Sequence, residues 1–366
     1  MSNRGKLLVT GASGLVGEAV LAKMLADDSG LEAFVVVRNE LRWQLAARRL
    51  GDVASRVIPL RGDITVPGLG LEPTLRKRVA RETRAIVHAA ADISFSNPLE
   101  RSRFVNTLGA CHVLELATAC ERLDGFVLVS TAYVAGRATG EIAERDNGAD
   151  AGWVNTYEQS KYEAEGCVRR TSLPWIIVRP STMVCRGVEG DIQQINAVHR
   201  ALRVYHRGMA AMMPGDRDYL FDVVTSGYVT DAIARLVFDP RALNQTVHLC
   251  SGRAALTLGE IVDSAYEVWA EQADWRRRGV ERALITDAAT YAMFERAVVE
   301  TGDVRLAAVL SSLSHFIPHL ALPKVFDTSV ADRLLGAPAP APGTYWRPML
   351  RRLLEQNWGQ SREAAA

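Results

Sequence analysis

Tyr157 and Lys161 stand four residues apart in Thr156-Tyr157-Glu158-Gln159-Ser160-Lys161-Tyr162-Glu163-Ala164-Glu165, so on a helix they share a face. A phenol with a pKa of about 10 is a poor acid–base group at neutral pH unless a neighbouring ammonium favours its anion. Lys161 can supply that field. Taken alone, Tyr-x-x-x-Lys is common and usually a surface pair. About two dozen residues upstream, the apolar run Phe126-Val127-Leu128-Val129 delivers two further hydroxyls, Ser130 and Thr131, at its end. That end is where an open parallel sheet places its ligands.

These groups need a scaffold, and the first seventeen residues describe one. Lys6-Leu7-Leu8-Val9-Thr10 is a short apolar strand that runs into Gly11-Ala12-Ser13-Gly14-Leu15-Val16-Gly17 and then into a helical pattern over Glu18–Ala26. Of the three glycines, the first permits the tight strand-to-helix turn, the second lets backbone N–H groups approach a pyrophosphate, and the third lets helix and sheet pack closely. The phosphates sit on the positive end of the helix. Gly11, Ser13, Gly14, Leu15, Val16 and Gly17 are therefore candidate cofactor residues. By itself the glycine spacing is also compatible with an ordinary turn; the rest of the chain decides.

Ala33-Phe34-Val35-Val36-Val37 is a β-branched run suited to a buried parallel strand, and Arg38 follows it directly. An acid at that place binds a ribose 2′-hydroxyl, whereas an arginine suits a 2′-phosphate, which predicts NADPH as cofactor. Arg48, one helix further on, offers a second contact or simply a solvated helix face. A third strand, Val57–Leu60, leads to Gly62-Asp63-Ile64, where Asp63 can accept from the adenine amino group while Ile64 packs on the ring; a plain turn aspartate is the alternative. Ala85–His88 is a fourth strand, and the small Ala89, Ala90 and Ala91 after it leave room for the cofactor. His88, between a β-branched strand and an alanine run, reads as a satisfied core residue rather than a base.

The combination of Thr10-Gly11-x-x-Gly14-x-x-Gly17, Gly62-Asp63, His88-Ala89-Ala90-Ala91, Val129-Ser130-Thr131 and Tyr157-x-x-x-Lys161 resembles the extended short-chain dehydrogenase/reductase superfamily. Within it, Val37-Arg38, Asp92-Ile93-Ser94-Phe95, Ser130 to Gly136, Tyr157 to Lys161 and Val178-Arg179-Pro180-Ser181 look like the thioester-reductase and fatty acyl-CoA reductase branch, with the likeness covering about residues 6 to 250. The resemblance implies that the catalytic hydroxyl, tyrosine and lysine fall on Thr131, Tyr157 and Lys161, and that Lys161 also holds the nicotinamide ribose. It further implies that Pro180 and Ser181 lie beside the carboxamide and that Asn106 supports the site. The chain departs from the family wording at Thr225-Ser226-Gly227-Tyr228-Val229, which lacks an aspartate, and at Cys185-Arg186; both fall toward the substrate side.

Length and composition set outer bounds. The 366 residues suffice for one large domain and a smaller one, and 48% hydrophobic content with a formal charge of +1 describes an ordinary globular protein. No basic excess points to nucleic acid. Five cysteines lack metal-ligand spacing and are odd in number, so reduced thiols are expected, with neither a metal site nor a disulfide framework. His315 and His319 are four apart, yet Pro318 spoils a helical metal face. The run Leu306–Phe326 is too interrupted for a membrane span, and the first strand starts so near Met1 that no signal peptide fits, so a cytoplasmic protein is expected.

In the second half, Thr246–Cys250 reads as the last strand of the sheet. Thr257–Glu271, opened by a Thr257/Glu260 capping pair, and Asp287–Thr301 read as amphipathic helices. A Pro-Ala linker, Ala337–Gly343, precedes a final helix over Trp346–Trp358, for which packing onto the parent domain is favoured over a membrane-surface role. The fold expected is α/β, a doubly wound parallel Rossmann sheet with a smaller, mainly helical C-terminal substrate lobe. Its division is 1–182 plus 219–252 for the NADP-binding part and 183–218 plus 253–366 for the substrate part. The function expected is NADPH-dependent reduction of an acyl thioester, carried by coenzyme A or an acyl or peptidyl carrier protein, to aldehyde and onward to alcohol. The alternatives are a carbonyl reductase or nucleotide-sugar epimerase or dehydratase on the same triad, and a non-catalytic NADP(H) sensor. A long apolar channel against a polar diphosphate cleft would tell the first two apart.

Overall fold

Seven short strands, apolar through their middles, carry the molecule. In the computed structural model, which describes residues 5–302 and 304–359 with the side chains of 312 and 359 left aside, β1 (Lys6–Thr10), β2 (Ala33–Val37), β3 (Val57–Arg61), β4 (Thr83–His88), β5 (Gly125–Val129), β6 (Trp175–Pro180) and β7 (Gln245–Leu249) form one sheet. Every pairing is parallel and the order is β7-β6-β5-β4-β1-β2-β3. Such strands are covered on both faces, which is why they read as unbroken apolar runs. The pleat then sorts them: Leu7 and Val9 join the core on one face, and Leu8, with Phe34, Ile86 and Phe126, joins the core on the other. Each such side chain contributes about 1.5–3 kcal/mol by leaving water. Chain order reverses between β1 and β4, and the crevice at their carboxyl ends is the place this topology reserves for a ligand.

The helices that flank the sheet are α1 (Leu15–Asp27), α2 (Glu40–Leu50), α3 (Pro73–Glu82), α4 (Leu108–Thr118), α5 (Thr156–Arg169) and α6 (Ser226–Leu236). The helix expected over Phe104–Cys120 is broken: Arg103–Thr107 is a wide π-turn that leads into α4. α5 is held to β6 by a buried ion pair. Arg179 donates to both carboxylate oxygens of Glu165 at 2.9 and 2.7 Å, and the two side chains are 1% and 0% exposed. Burial alone would raise the Glu165 carboxyl, yet the guanidinium outweighs it and brings the group down to about 2.

The remainder is a second core built from helices Ala197–His206, Leu258–Ala270 and Trp346–Glu355, with helices Ala288–Glu300 and Val304–Leu313 lining its cavity and paired strands only two to four residues long between them. Thr257 and Glu260 form the expected capping box at 3.1 and 2.8 Å. Asp287 caps the next helix. The last helix buries Trp346, Met349, Leu350 and Leu353 and pairs Arg347 and Arg351 with Glu267 and Glu271. It packs on its own domain.

The chain does not stay in that core. Lys324–Phe326 pairs with Gly140–Ile142, and the following helix, Ser329–Leu335, puts Ala331, Leu334 and Leu335 into the core beside β7. Glu144 fastens this return by accepting from the backbone of His248 at 2.8 Å and Ala331 at 3.1 Å. We propose the domain division expected from sequence with this one change, that residues 324–335 belong with the nucleotide-binding part. Residues 1–4, 303 and 360–366 of that division lie outside the described residues. Among the described residues no helix is long and apolar enough to cross a membrane.

Candidate active site

Gly11 has φ +74°, a conformation side chains rarely adopt, and a Cβ there would stand 2.6 Å from the Ala90 nitrogen. A Cβ on Gly17 would stand 2.3 Å from the Gly11 carbonyl oxygen. These two glycines thus let the β1–α1 turn close against both the alanine run after β4 and its own helix. Gly14 is exposed and is the N-cap of α1 with no side-chain cap. The first amides of α1 therefore keep their donors for an anion, and Ser13, Leu15 and Val16 line the same turn.

The far end of the crevice is basic. Arg38 is exposed directly after β2 and makes no ion pair among the described residues, and Arg48 is exposed on α2. Its neighbour Arg49 is spent on a bidentate bond to Glu18 at 2.6 and 2.5 Å. Asp63 is half-buried and one of its oxygens accepts from the Thr65 backbone and hydroxyl, leaving the other. Ile64 is 7% exposed and packs against Gly109, so it offers the crevice an edge only.

Ala89, Ala90 and Ala91 are half-buried beside the glycine turn. His88 is bonded through Nδ1 to the Thr10 hydroxyl at 2.7 Å, while its Nε2 is buried without a partner. Burial, with the nearby Lys161 charge, lowers it to about 3. It is a neutral core residue, satisfied on one side.

Three groups expected from sequence converge at the ends of β5 and α5. Asn155 caps α5, its side-chain oxygen accepting from the Glu158 N–H at 3.1 Å, which sets where the helix begins and hence which face Tyr157 and Lys161 share. The Thr131 hydroxyl lies near enough to the Tyr157 phenol for their side chains to interact, and the Phe95 ring stands 5.6 Å from the Tyr157 ring. Lys161 is 1% exposed and donates to the Val129 carbonyl at 2.7 Å. Burial lowers its ammonium to about 8, against the opposing pull of Glu165. Asn106, in the π-turn, bonds Ser160 on α5 at 2.9 Å and brackets Asp92 through its backbone N–H and carbonyl at 2.8 and 3.0 Å. This ties α5 to the Asp92–Phe95 loop. Pro180 and Ser181 are buried at the end of β6.

The electrostatics differ from expectation in one respect. Lys161 was expected to draw the Tyr157 phenol down; instead burial drives it well above its ordinary value, with the Thr131 hydroxyl only moderating the rise. The ammonium is anchored on Val129. Tyr157 thus carries its proton throughout the neutral range, the state a proton donor needs.

The crevice also continues past residues whose roles no local pattern announces. Tyr133, two residues beyond Thr131, donates its N–H to the Thr131 hydroxyl at 3.3 Å and bonds Thr182 through its own hydroxyl at 3.0 Å. Its ring packs edge-on to His319, 4.7 Å away. His319 Nε2 is 2.8 Å from Glu158, the residue after Tyr157. Beyond this lies a cavity of about 70 Å³ in the second core, and every residue lining it is apolar or aromatic, among them Leu202, Met213, Phe221, Val262 and Phe316.

These features fit a nicotinamide dinucleotide. The uncapped α1 amides and glycine turn suit its pyrophosphate, unpaired Arg38 suits a charged ribose, and Lys161 stands beside Tyr157 where the reactive ring must lie.

Comparison with known proteins agrees with this geometry. The profile of an NAD-binding family described as "Male sterility protein" matches residues 9–233. "Fatty acyl-CoA reductase 8" of Arabidopsis thaliana is 24% identical over 306 residues, covering 62% of this chain and 62% of its own. "Alcohol-forming fatty acyl-CoA reductase" of Simmondsia chinensis is 32% identical over 162 residues, covering 38% and 33%. The present chain therefore spans less than two thirds of these relatives' length. Among solved structures, "the terminal R domain from the myxalamid PKS-NRPS biosynthetic pathway" superposes with a TM-score of 0.78 at 26% identity, covering 98% of this chain and 93% of that one.

Proposed function

The chain belongs to the male sterility protein family, in the thioester-reductase and fatty acyl-CoA reductase branch of the extended short-chain dehydrogenases/reductases, and from that membership we propose that it is an NADPH-dependent reductase of an acyl thioester. The observation that carries the substrate class is the wholly apolar cavity of the second core. It suits an acyl chain and offers nothing to a nucleotide diphosphate, which would ask for cations and amides. Relatives named for fatty acyl-CoA and for a polyketide–peptide pathway support a thioester arriving on coenzyme A or on a carrier protein. The choice of NADPH rests on Arg38.

The cofactor would be held by Gly11, Ser13, Gly14, Leu15, Val16 and Gly17 at the pyrophosphate, with Arg38 and Arg48 at the 2′-phosphate. Asp63 and the edge of Ile64 would border the adenine, and Ala89–Ala91, Lys161, Pro180 and Ser181 the nicotinamide end. Bound there, it supplies a hydride to the thioester carbon. Thr131 and Tyr157 hydrogen-bond the carbonyl oxygen as charge develops on it, and Tyr157 passes it the phenolic proton. Lys161, as an ammonium, stabilises the phenolate left behind. The resulting hemithioacetal then breaks its C–S bond: the hydroxyl loses its proton as C=O re-forms, and the sulfur leaves with a proton as thiol. A second round on the aldehyde gives the alcohol.

The test is NADPH oxidation followed by absorbance with acyl-CoA thioesters, simple ketones and nucleotide sugars offered in parallel, and products identified by mass spectrometry. Thioester-dependent oxidation that yields aldehyde or alcohol is expected. NADPH binding with turnover only on ketones or sugars, or on nothing, overturns the proposal.

A further inference from the structure

Between Thr131 and the apolar cavity lies a small polar recess that the proposed reaction does not use. Its walls include Tyr133, Phe221, Asp222, His319 and Lys324, and its volume is about 20 Å³. Phe221 is also a wall of the apolar cavity, so the recess borders that cavity. Tyr133 and Glu158, through His319, tie it to Thr131 and Tyr157 by one residue each.

Two buried groups in the recess lack partners. Lys324 is 7% exposed, and its Nζ has no hydrogen bond or ion pair among the described residues. His319 is 8% exposed; its Nε2 meets Glu158 and its Nδ1 meets nothing. An ammonium hidden from water without an acceptor is costly, and chains rarely keep one that has no use. Glu158 makes no bond to it; its oxygens accept from the Val154 N–H at 2.9 Å and the Asn155 amide at 2.8 Å and meet His319. Asp222 likewise spends its oxygens on the backbone N–H groups of Ser251 and Gly252, at 2.9 and 2.7 Å.

The identity of the missing partner follows from donors, charge and size. Lys324 can only donate. His319 turns Nε2 to the Glu158 carboxylate, and in the Nε2–H tautomer its unpartnered Nδ1 offers a lone pair. Lys324 and Arg137 are offset by Glu158 and Asp222, so no further negative charge is called for. A volume of about 20 Å³ admits roughly one oxygen-sized group. A hydroxyl meets all of these conditions, since it accepts from Lys324 and donates to His319.

We propose that Lys324 and His319 form a hydroxyl-binding subsite, which selects acyl thioesters bearing a hydroxyl within the first few carbons of the thioester. This rests on the thioester-reductase reading above. The chain from the reacting carbonyl to the apolar cavity passes these walls first, which fixes the hydroxyl near the thioester end.

The experiment compares kcat/KM for octanoyl-CoA and for each enantiomer of 3-hydroxyoctanoyl-CoA, in the wild type and in Lys324→Met. A hydrogen bond to a charged donor predicts a wild-type preference of about tenfold or more for one hydroxyacyl enantiomer, and at least a tenfold fall of that ratio in Lys324→Met. Ratios that agree within about twofold between the two proteins overturn the subsite and leave Lys324 with a bound water alone. Methionine fills similar space without a charge, so its thermal midpoint is expected to equal or exceed the wild type's; if it does not fold, Lys324→Gln takes its place. Should the wild type reduce neither thioester, the thioester-reductase reading fails. The subsite is then decided by calorimetric affinities of the same CoA thioesters in the same two proteins, on the same ratio criterion.

Discussion

The two cores of this chain solve opposite problems. In the nucleotide-binding part, the central strands are buried through their middles and the glycine turn leaves no room for a methyl group at Gly11 or Gly17. The buried Glu165–Arg179 pair there has both charges matched. The substrate part is joined by ladders of two to four residues and keeps an apolar cavity, and the orphaned Lys324 Nζ and His319 Nδ1 stand where the two parts meet. One part has its glycine turn and its central ion pair set before anything binds, as a shared cofactor requires. The other is left open, and the energy it forgoes in packing is available to a substrate.

Five measurements would break or sharpen that contrast. The largest effect is expected at the closed side: Glu165→Gln leaves Arg179 buried and unpaired, and stability to urea should fall by about 3–5 kcal/mol. Because the Glu165 carboxyl is depressed to about 2, its stabilisation is present above the ordinary carboxyl range and lost as pH falls from about 4 toward 2. The variant should lack that acid limb in its thermal midpoint; an unchanged limb would assign it elsewhere. Next, Tyr157→Phe should lower kcat on the order of a hundredfold or more with NADPH affinity little altered, and a variant with wild-type turnover would remove the phenol from the reaction. Arg38→Ala should raise the KM for NADPH about tenfold and leave that for NADH nearly as it was; equal effects on both would divorce Arg38 from the 2′-phosphate.

On the open side, Ala201→Phe projects a ring into the apolar cavity and should cut kcat/KM for the longest acyl chains about tenfold while sparing short ones, as read from a chain-length series. A uniform loss would mean that the cavity does not hold the chain. The smallest effect concerns pH. Burial holds the Lys161 ammonium at about 8, so a rate that needs its charge should decline as pH rises through about 8, and Lys161→Arg should move that limb upward.

What could be read from the sequence divides along the same line. Strand β1, the turn after it, Arg38 and the Tyr157/Lys161 spacing are local signals, because a parallel βαβ unit writes its burial and its turns into adjacent residues. Helix ends are legible within a few residues where a cap announces them, as at Thr257. The π-turn at Arg103–Thr107 was invisible, since its apolar periodicity is that of the helix it interrupts. His319 and Lys324 were invisible for a different reason. Their partners, Glu158 and Gly140, stand more than a hundred residues away in the chain, and apolar periodicity tells which face is covered without telling by what. The influence expected of Lys161 on Tyr157 was misjudged because spacing reports proximity on a helix but not the burial that sets the phenol's charge.

The return of residues 324–335 across the sheet edge has a practical side. A chimera that joined this nucleotide-binding half to the substrate half of a relative at a single crossover would bring in a foreign strand beside Gly140–Ile142 and a foreign helix under the Glu144 clamp. Exchange of specificity by recombination therefore calls for two junctions, one on each side of this segment, so that the native edge strand stays with the sheet that shaped it.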